Sequence, residues 1–157
     1  MPSVAIEYIL LIPLLFSQVI VFPFVASTMA SSWQDSQRDI QLQDAANHLA
    51  STIQQLYLTI NRDEILEGTV TQASPVPVTV ASYPYNATGL LSSISEDSTR
   101  VLTVTLILDE VDNNATASAV LGPNVQWIKS TLRSNSAEAS IDVQKFSNST
   151  LVFSFGG

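Results

Sequence analysis

The chain contains no cysteine, which excludes disulfides, thiolate metal ligands and cysteine nucleophiles. It contains one histidine, His48, so no metal site or catalytic pair can draw on two imidazoles. Basic residues are scarce: six Lys plus Arg stand against 14 Asp plus Glu, for a net charge of −8. That balance argues against nucleic-acid binding, which uses basic patches to displace phosphate counterions. It equally disfavours a polybasic contact with anionic lipid. No glycine-rich phosphate loop is present; Gly156 and Gly157 form a C-terminal tail. The most informative absence is of charge itself, because residues 8 to 34 carry no charged side chain.

What fills that stretch is apolar. The chain is 46% hydrophobic, and its first 30 residues hold a large share. From 8 to about 30 the run is apolar nearly all round and, as a helix, spans on the order of 30 Å, the hydrocarbon thickness of a bilayer. Pro13 and Pro23 lie inside it. Each removes a backbone donor and frees a carbonyl one turn earlier, at Ile9 and Val19, so each is expected to kink or loosen the helix. Ser17, Gln18, Ser27 and Thr28 are near enough to satisfy the freed groups. Tyr8 and Trp33 bracket the run like an interfacial aromatic belt. No Lys or Arg precedes Arg38, so a standard secretory signal fits poorly. Either a basic leader has been removed, or the segment is not a signal of that type.

The pattern then changes. Leu42, Ala46, Leu49, Ile53, Leu56 and Ile60 recur at intervals of four and three, the stripe of an amphipathic helix. Ala45, Ala50 and Tyr57 widen it, and Asp39, Gln43, Asn47, Gln54 and Gln55 line the other side. No strong breaker lies between Pro23 and Gly68, so one helix is expected from about 3 to about 62, a shaft of roughly 90 Å. Beyond Gly68 the periodicity is that of strands. Residues 69–81 read as extended, with Pro75 and Pro77 confining part to an edge. Residues 83–89 read as a loop. Strands follow at 100–108, 115–121, 125–132, 139–146 and 150–155, separated by turns at 112–114, 122–124 and 147–149. The expected architecture is α+β: a helical segment, 1–62, then a small antiparallel β-sandwich or barrel-like sheet domain, 63–157.

Few side chains suggest chemistry. His48 stands near Asp44 and Thr52, but without a second ligand or a nucleophile motif the pair reads as structural. Asp109, Glu110 and Asp112 precede a turn, lack the spacing of a calcium loop and read as solvated. No cofactor or metal is expected. Three sequons, Asn86-Ala87-Thr88, Asn114-Ala115-Thr116 and Asn148-Ser149-Thr150, point to an exported domain glycosylated at Asn86, Asn114 or Asn148. Glu7 is the one carboxylate beside the apolar run. There it gains about 0.3–1 kcal/mol from the helix dipole, or pairs with an α-amino group of a neighbouring subunit.

The stretch Glu7-Tyr8-Ile9-Leu10-Leu11-Ile12-Pro13, the apolar run continuing through Leu14, Leu15, Phe16, Val19, Ile20, Phe22, Pro23 and Phe24, the amphipathic continuation and the β-rich second half together resemble an archaeal type IV pilin. The close comparison covers about the first 60 residues; the β-half is similar only in general class, an immunoglobulin-like sheet domain that is often glycosylated. The resemblance implies a subunit of an extracellular, cell-surface filament, a helical homopolymer used for adhesion, surface attachment or motility. It implies a membrane-held precursor, a prepilin peptidase that trims a basic leader, and an ATPase-driven assembly platform. In such a filament the helices bundle in the core and the β-domains form the sheath. The family's glutamate usually stands fifth after cleavage and here stands seventh, so counting back places a mature start at Ser3.

A second class of function competes: a single-span, membrane-anchored β-domain that binds a partner through its loops. An anchor uses only the first 30 residues, whereas the stripe continues to Ile60. An enzyme has no supporting constellation.

Overall fold

A computed structural model describes residues 3–93 and 99–157, and side chains except those of 3–8 and 10. One helix, α1, runs Ser3–Ile60. Eight strands follow: β1 Gly68–Ala73, β2 Tyr85–Ser93, β3 Arg100–Leu108, β4 Asn114–Leu121, β5 Val125–Trp127, β6 Thr131–Arg133, β7 Ser140–Lys145 and β8 Leu151–Gly156. They form two four-stranded sheets, ordered β1-β7-β8-β5 and β4-β3-β2-β6. All pairings are antiparallel except β5 with β8. By internal contacts the chain divides into Met1–Gln37 and Arg38–Gly157, whereas helix gives way to strand between Ile60 and Gly68.

Within Arg38–Gly157 the core follows from two periodicities. The helical stripe Leu42, Ala46, Leu49, Ile53 and Ile60 is buried, widened by Ala45 and Ala50 as the pattern requires. Strands contribute alternate residues: Leu102, Val104, Leu106 and Leu108 from β3, Ala115, Ala117, Ala119 and Leu121 from β4, Leu151, Phe153 and Phe155 from β8. The stripe and both sheets share one apolar cluster. Lys145 is buried at its margin, where its Nζ donates to Ile60 O at 2.9 Å and Arg62 O at 2.7 Å. It thereby satisfies the Ile60 carbonyl that the end of α1 leaves orphaned and adds to the bond that Arg62 O accepts from Ile65 N at 3.2 Å.

Three expectations are corrected. The loop expected at 83–89 is mostly strand, since β2 starts at Tyr85. Its turn-forming residues have other roles: Asn86 Nδ2 donates to Asp109 Oδ1 at 2.6 Å, and a Cβ on Gly89 would overlap the Trp127 indole. Glycine here makes room for an aromatic ring. The expected strand at 69–81 stops at Ala73, and the chain then reverses through Val80 and Tyr83, which exchange two backbone bonds of 2.9 Å. Ala81 and Ser82 between them have φ of 49° and 76°, as a hairpin turn with two left-handed residues demands. The single strand expected at 125–132 is two, β5 and β6, in opposite sheets. Ser130 holds the crossing, its hydroxyl donating to Ile128 O and accepting from Phe155 N.

Candidate functional site: an uncharged helical surface

Residues 11–33 of α1 are exposed throughout, and the side chains include Phe16, Ile20, Phe22 at 75% and Phe24 at 70%. None of the large apolar groups there finds cover within Met1–Gln37. The segment is long and apolar enough to cross a membrane. Leu11, Ile12, Pro13, Leu14, Leu15, Phe16, Val19, Ile20, Phe22, Pro23 and Phe24 of the expected assembly helix all lie on this surface, and Ile9 just before it is exposed as well. Glu7, Tyr8 and Leu10 fall within α1, but their side chains lie outside the described residues.

Pro13 and Pro23 sit inside one continuous helix. Among the described residues no side chain donates to Ile9 O or Val19 O. The nearby hydroxyls bond elsewhere in their own turns, Thr28 to Val25 O and Ser31 to Thr28 O, both at 2.9 Å. Trp33 is exposed at the end of the run. The surface therefore offers apolar side chains on every side and two backbone acceptors without a side-chain donor.

His48 lines an open groove of about 500 Å³ with Asp44, Ala45, Pro75, Val76 and Val80. Thr52 Oγ1 donates to the backbone oxygen of His48, not to its ring. Among the described residues no group of three or more His, Asp or Glu is placed to hold a metal ion. Asp109 is the acceptor of Asn86, and Glu110 adopts φ of 69° at the turn. Among the described residues the one strongly shifted acid–base group is Tyr85, whose phenol is pushed up to about 12 by burial and donates to Pro77 O at 2.8 Å.

The sequons separate. Asn86 is half-buried with its amide engaged, Asn114 is exposed at the start of β4, and Asn148 is exposed in the turn before β8. Asn148 Oδ1 accepts from Thr150 N at 3.1 Å. Lys145 was not legible as a functional or structural residue, because nothing in its sequence neighbourhood marks a helix cap.

No protein-family model matches the chain, and comparisons with curated proteins and with solved structures give no match.

Proposed function

We propose that this chain is the major structural subunit of an extracellular filament of the archaeal type IV pilus kind, polymerising through its N-terminal helix. The observation that carries the reading is an exposed, charge-free helical surface over 11–33 with no apolar partner in its own unit. Covering roughly 20 such side chains contributes about 1.5–3 kcal/mol each against water, enough to make a polymer very hard to dissociate. A repeated, non-closing contact between identical subunits generates a helical filament. Neighbouring helices also supply the environment in which the carbonyls of Ile9 and Val19 are shielded.

In this reading lipid holds the precursor through the same surface, and a prepilin peptidase and an assembly ATPase with its membrane platform process and extract it. The role is structural and not catalytic, serving adhesion, surface attachment or motility. The two sheets are the layers of a small immunoglobulin-like sandwich; the alternating burial along β3, β4 and β8 supports that arrangement. N-glycans fit best on Asn114 and Asn148, whose side chains are exposed. Electron microscopy of the native protein is the test: filaments are expected. Detergent-soluble monomers in its place would sink the reading in favour of a membrane-anchored binding module.

A further inference from the structure

The two sheets have four outer strands, and three of their edges are managed. β4 is long, but Gln43 Nε2 donates to Thr116 O at 2.8 Å and occupies its edge. β5 is three residues long, and Arg100 donates to Val125 O. β6 is also three residues long and ends in exposed Arg133. Shortness, charge and side-chain cover are the devices by which sheet edges avoid pairing with another chain. β1 has none of them. Its six residues, Gly68-Thr69-Val70-Thr71-Gln72-Ala73, carry no charge and no proline, and all are exposed. Among the described residues no side chain bonds to its backbone.

The orientation of the free backbone groups follows from the ladder. Ser74 N donates to Ala139 O at 2.9 Å, continuing the β1–β7 register. Antiparallel strands alternate, so Gln72, Val70 and Gly68 share that orientation while Thr69, Thr71 and Ala73 turn N–H and C=O to the open side.

We propose that β1 pairs with β1 of a second copy, antiparallel and about a two-fold axis, with Thr71 opposite Thr71 and Thr69 opposite Ala73. A two-fold pairing must match residues of like orientation, and this register uses all three outward pairs of groups. Charge selects the direction. Asp63, Glu64 and Glu67 lie just before the strand. Parallel pairing sets Glu67 beside Glu67. The antiparallel register sets Glu67 opposite Pro75, so that the two Glu67 positions stand roughly 27 Å apart at about 3.4 Å per residue. That is beyond the range of unscreened repulsion at physiological salt, about 8 Å. The contact is closed, so it joins two subunits or two filaments side by side and extends neither. It does not rest on the filament reading.

The chain has no thiol of its own, so Thr71→Cys in the full chain, held in dodecyl maltoside micelles, is a clean reporter. Facing Cα atoms at a bonded antiparallel pair are about 5.5 Å apart, within the span of a disulfide, about 4.4–6.8 Å. Under copper-phenanthroline oxidation this chain is expected to form covalent dimers at least roughly tenfold faster than one with Thr88→Cys, an exposed position on the other sheet. Adding Thr69→Pro or Ala73→Pro removes only an outward N–H and is expected to abolish that advantage with an unchanged melting curve. Equal rates for the two reporters, or an advantage that survives both prolines, would overturn the pairing.

Discussion

Residues 11–33 and 42–60 belong to one helix, and both are rich in large apolar side chains, but their fates differ. In the second segment the apolar groups fall on one stripe with Asp39, Gln43 and Asn47 outside it, and Leu42, Leu49 and Ile53 are wholly buried. In the first they cover every side, and Phe22 remains 75% exposed. A stripe specifies one partner in one direction, which the chain's own sheets supply. An all-round apolar surface specifies no single direction for a partner. The two segments thus divide the work: the second stabilises the fold, and the first is left for the environment.

The comparison breaks most visibly with a charge. If the chain polymerises as proposed, Phe22→Asp is expected to eliminate filaments in electron micrographs, since a carboxylate in an apolar environment costs about 2.5–3.5 kcal/mol per subunit and repeats in every copy. The melting of the β-rich unit should not move with it; a large drop would show that 11–33 also supports that unit. Truncation sharpens the contrast. Leu49→Ala removes a fully buried side chain and is expected to cost about 2–5 kcal/mol of unfolding free energy. Phe16→Ala, at an exposed position, is expected to change it by less than about 0.5 kcal/mol in micelles. Denaturant titration of both variants decides, and similar losses would erase the distinction.

Much of this contrast was legible from periodicity alone. The helix expected at 3–62 is found at Ser3–Ile60, and the strand expected at 100–108 is β3. Elements set by their own repeat were readable; those set by distant neighbours were not. Pro84, Asn86 and Gly89 spell a turn locally, yet pairing with β3 and β6 makes the stretch from Tyr85 a strand. Nothing between Val125 and Leu132 breaks a strand, yet Phe153 and Phe155 bind Ile128 and Ser130 and turn the chain from one sheet to the other. For the candidate site, the uncharged run and its prolines were visible at once. The open edge of β1 was not, because an edge is a property of strand order.

A smaller effect lies at the end of α1. Lys145 is the buried donor for Ile60 O and Arg62 O, so Lys145→Met leaves two carbonyls without it. The expected loss is about 1–3 kcal/mol, read as a lower denaturant midpoint. Leu49→Ala should exceed it, because a cavity adds to lost transfer energy whereas methionine keeps most of the stem's packing.

The last expected effect is confined to alkaline pH and belongs wholly to the buried side of the comparison. The Tyr85 phenol ionises near 10 when unfolded and at about 12 in the fold, because burial penalises the phenolate. The folded state therefore holds its proton where the unfolded state has lost it, and stability must fall as pH rises between those values. Below about pH 10 the contribution is complete and flat. Tyr85→Phe should remove this alkaline slope while losing the 2.8 Å bond to Pro77 O, at a pH-independent cost of about 0.5–1.5 kcal/mol. Unfolding free energies of both chains from pH 8 to 11.5 provide the measurement. The same alkaline fall in the Tyr85→Phe chain would show that another group titrates there. Residues 11–33 carry no ionisable side chain, so this alkaline slope has no counterpart in them.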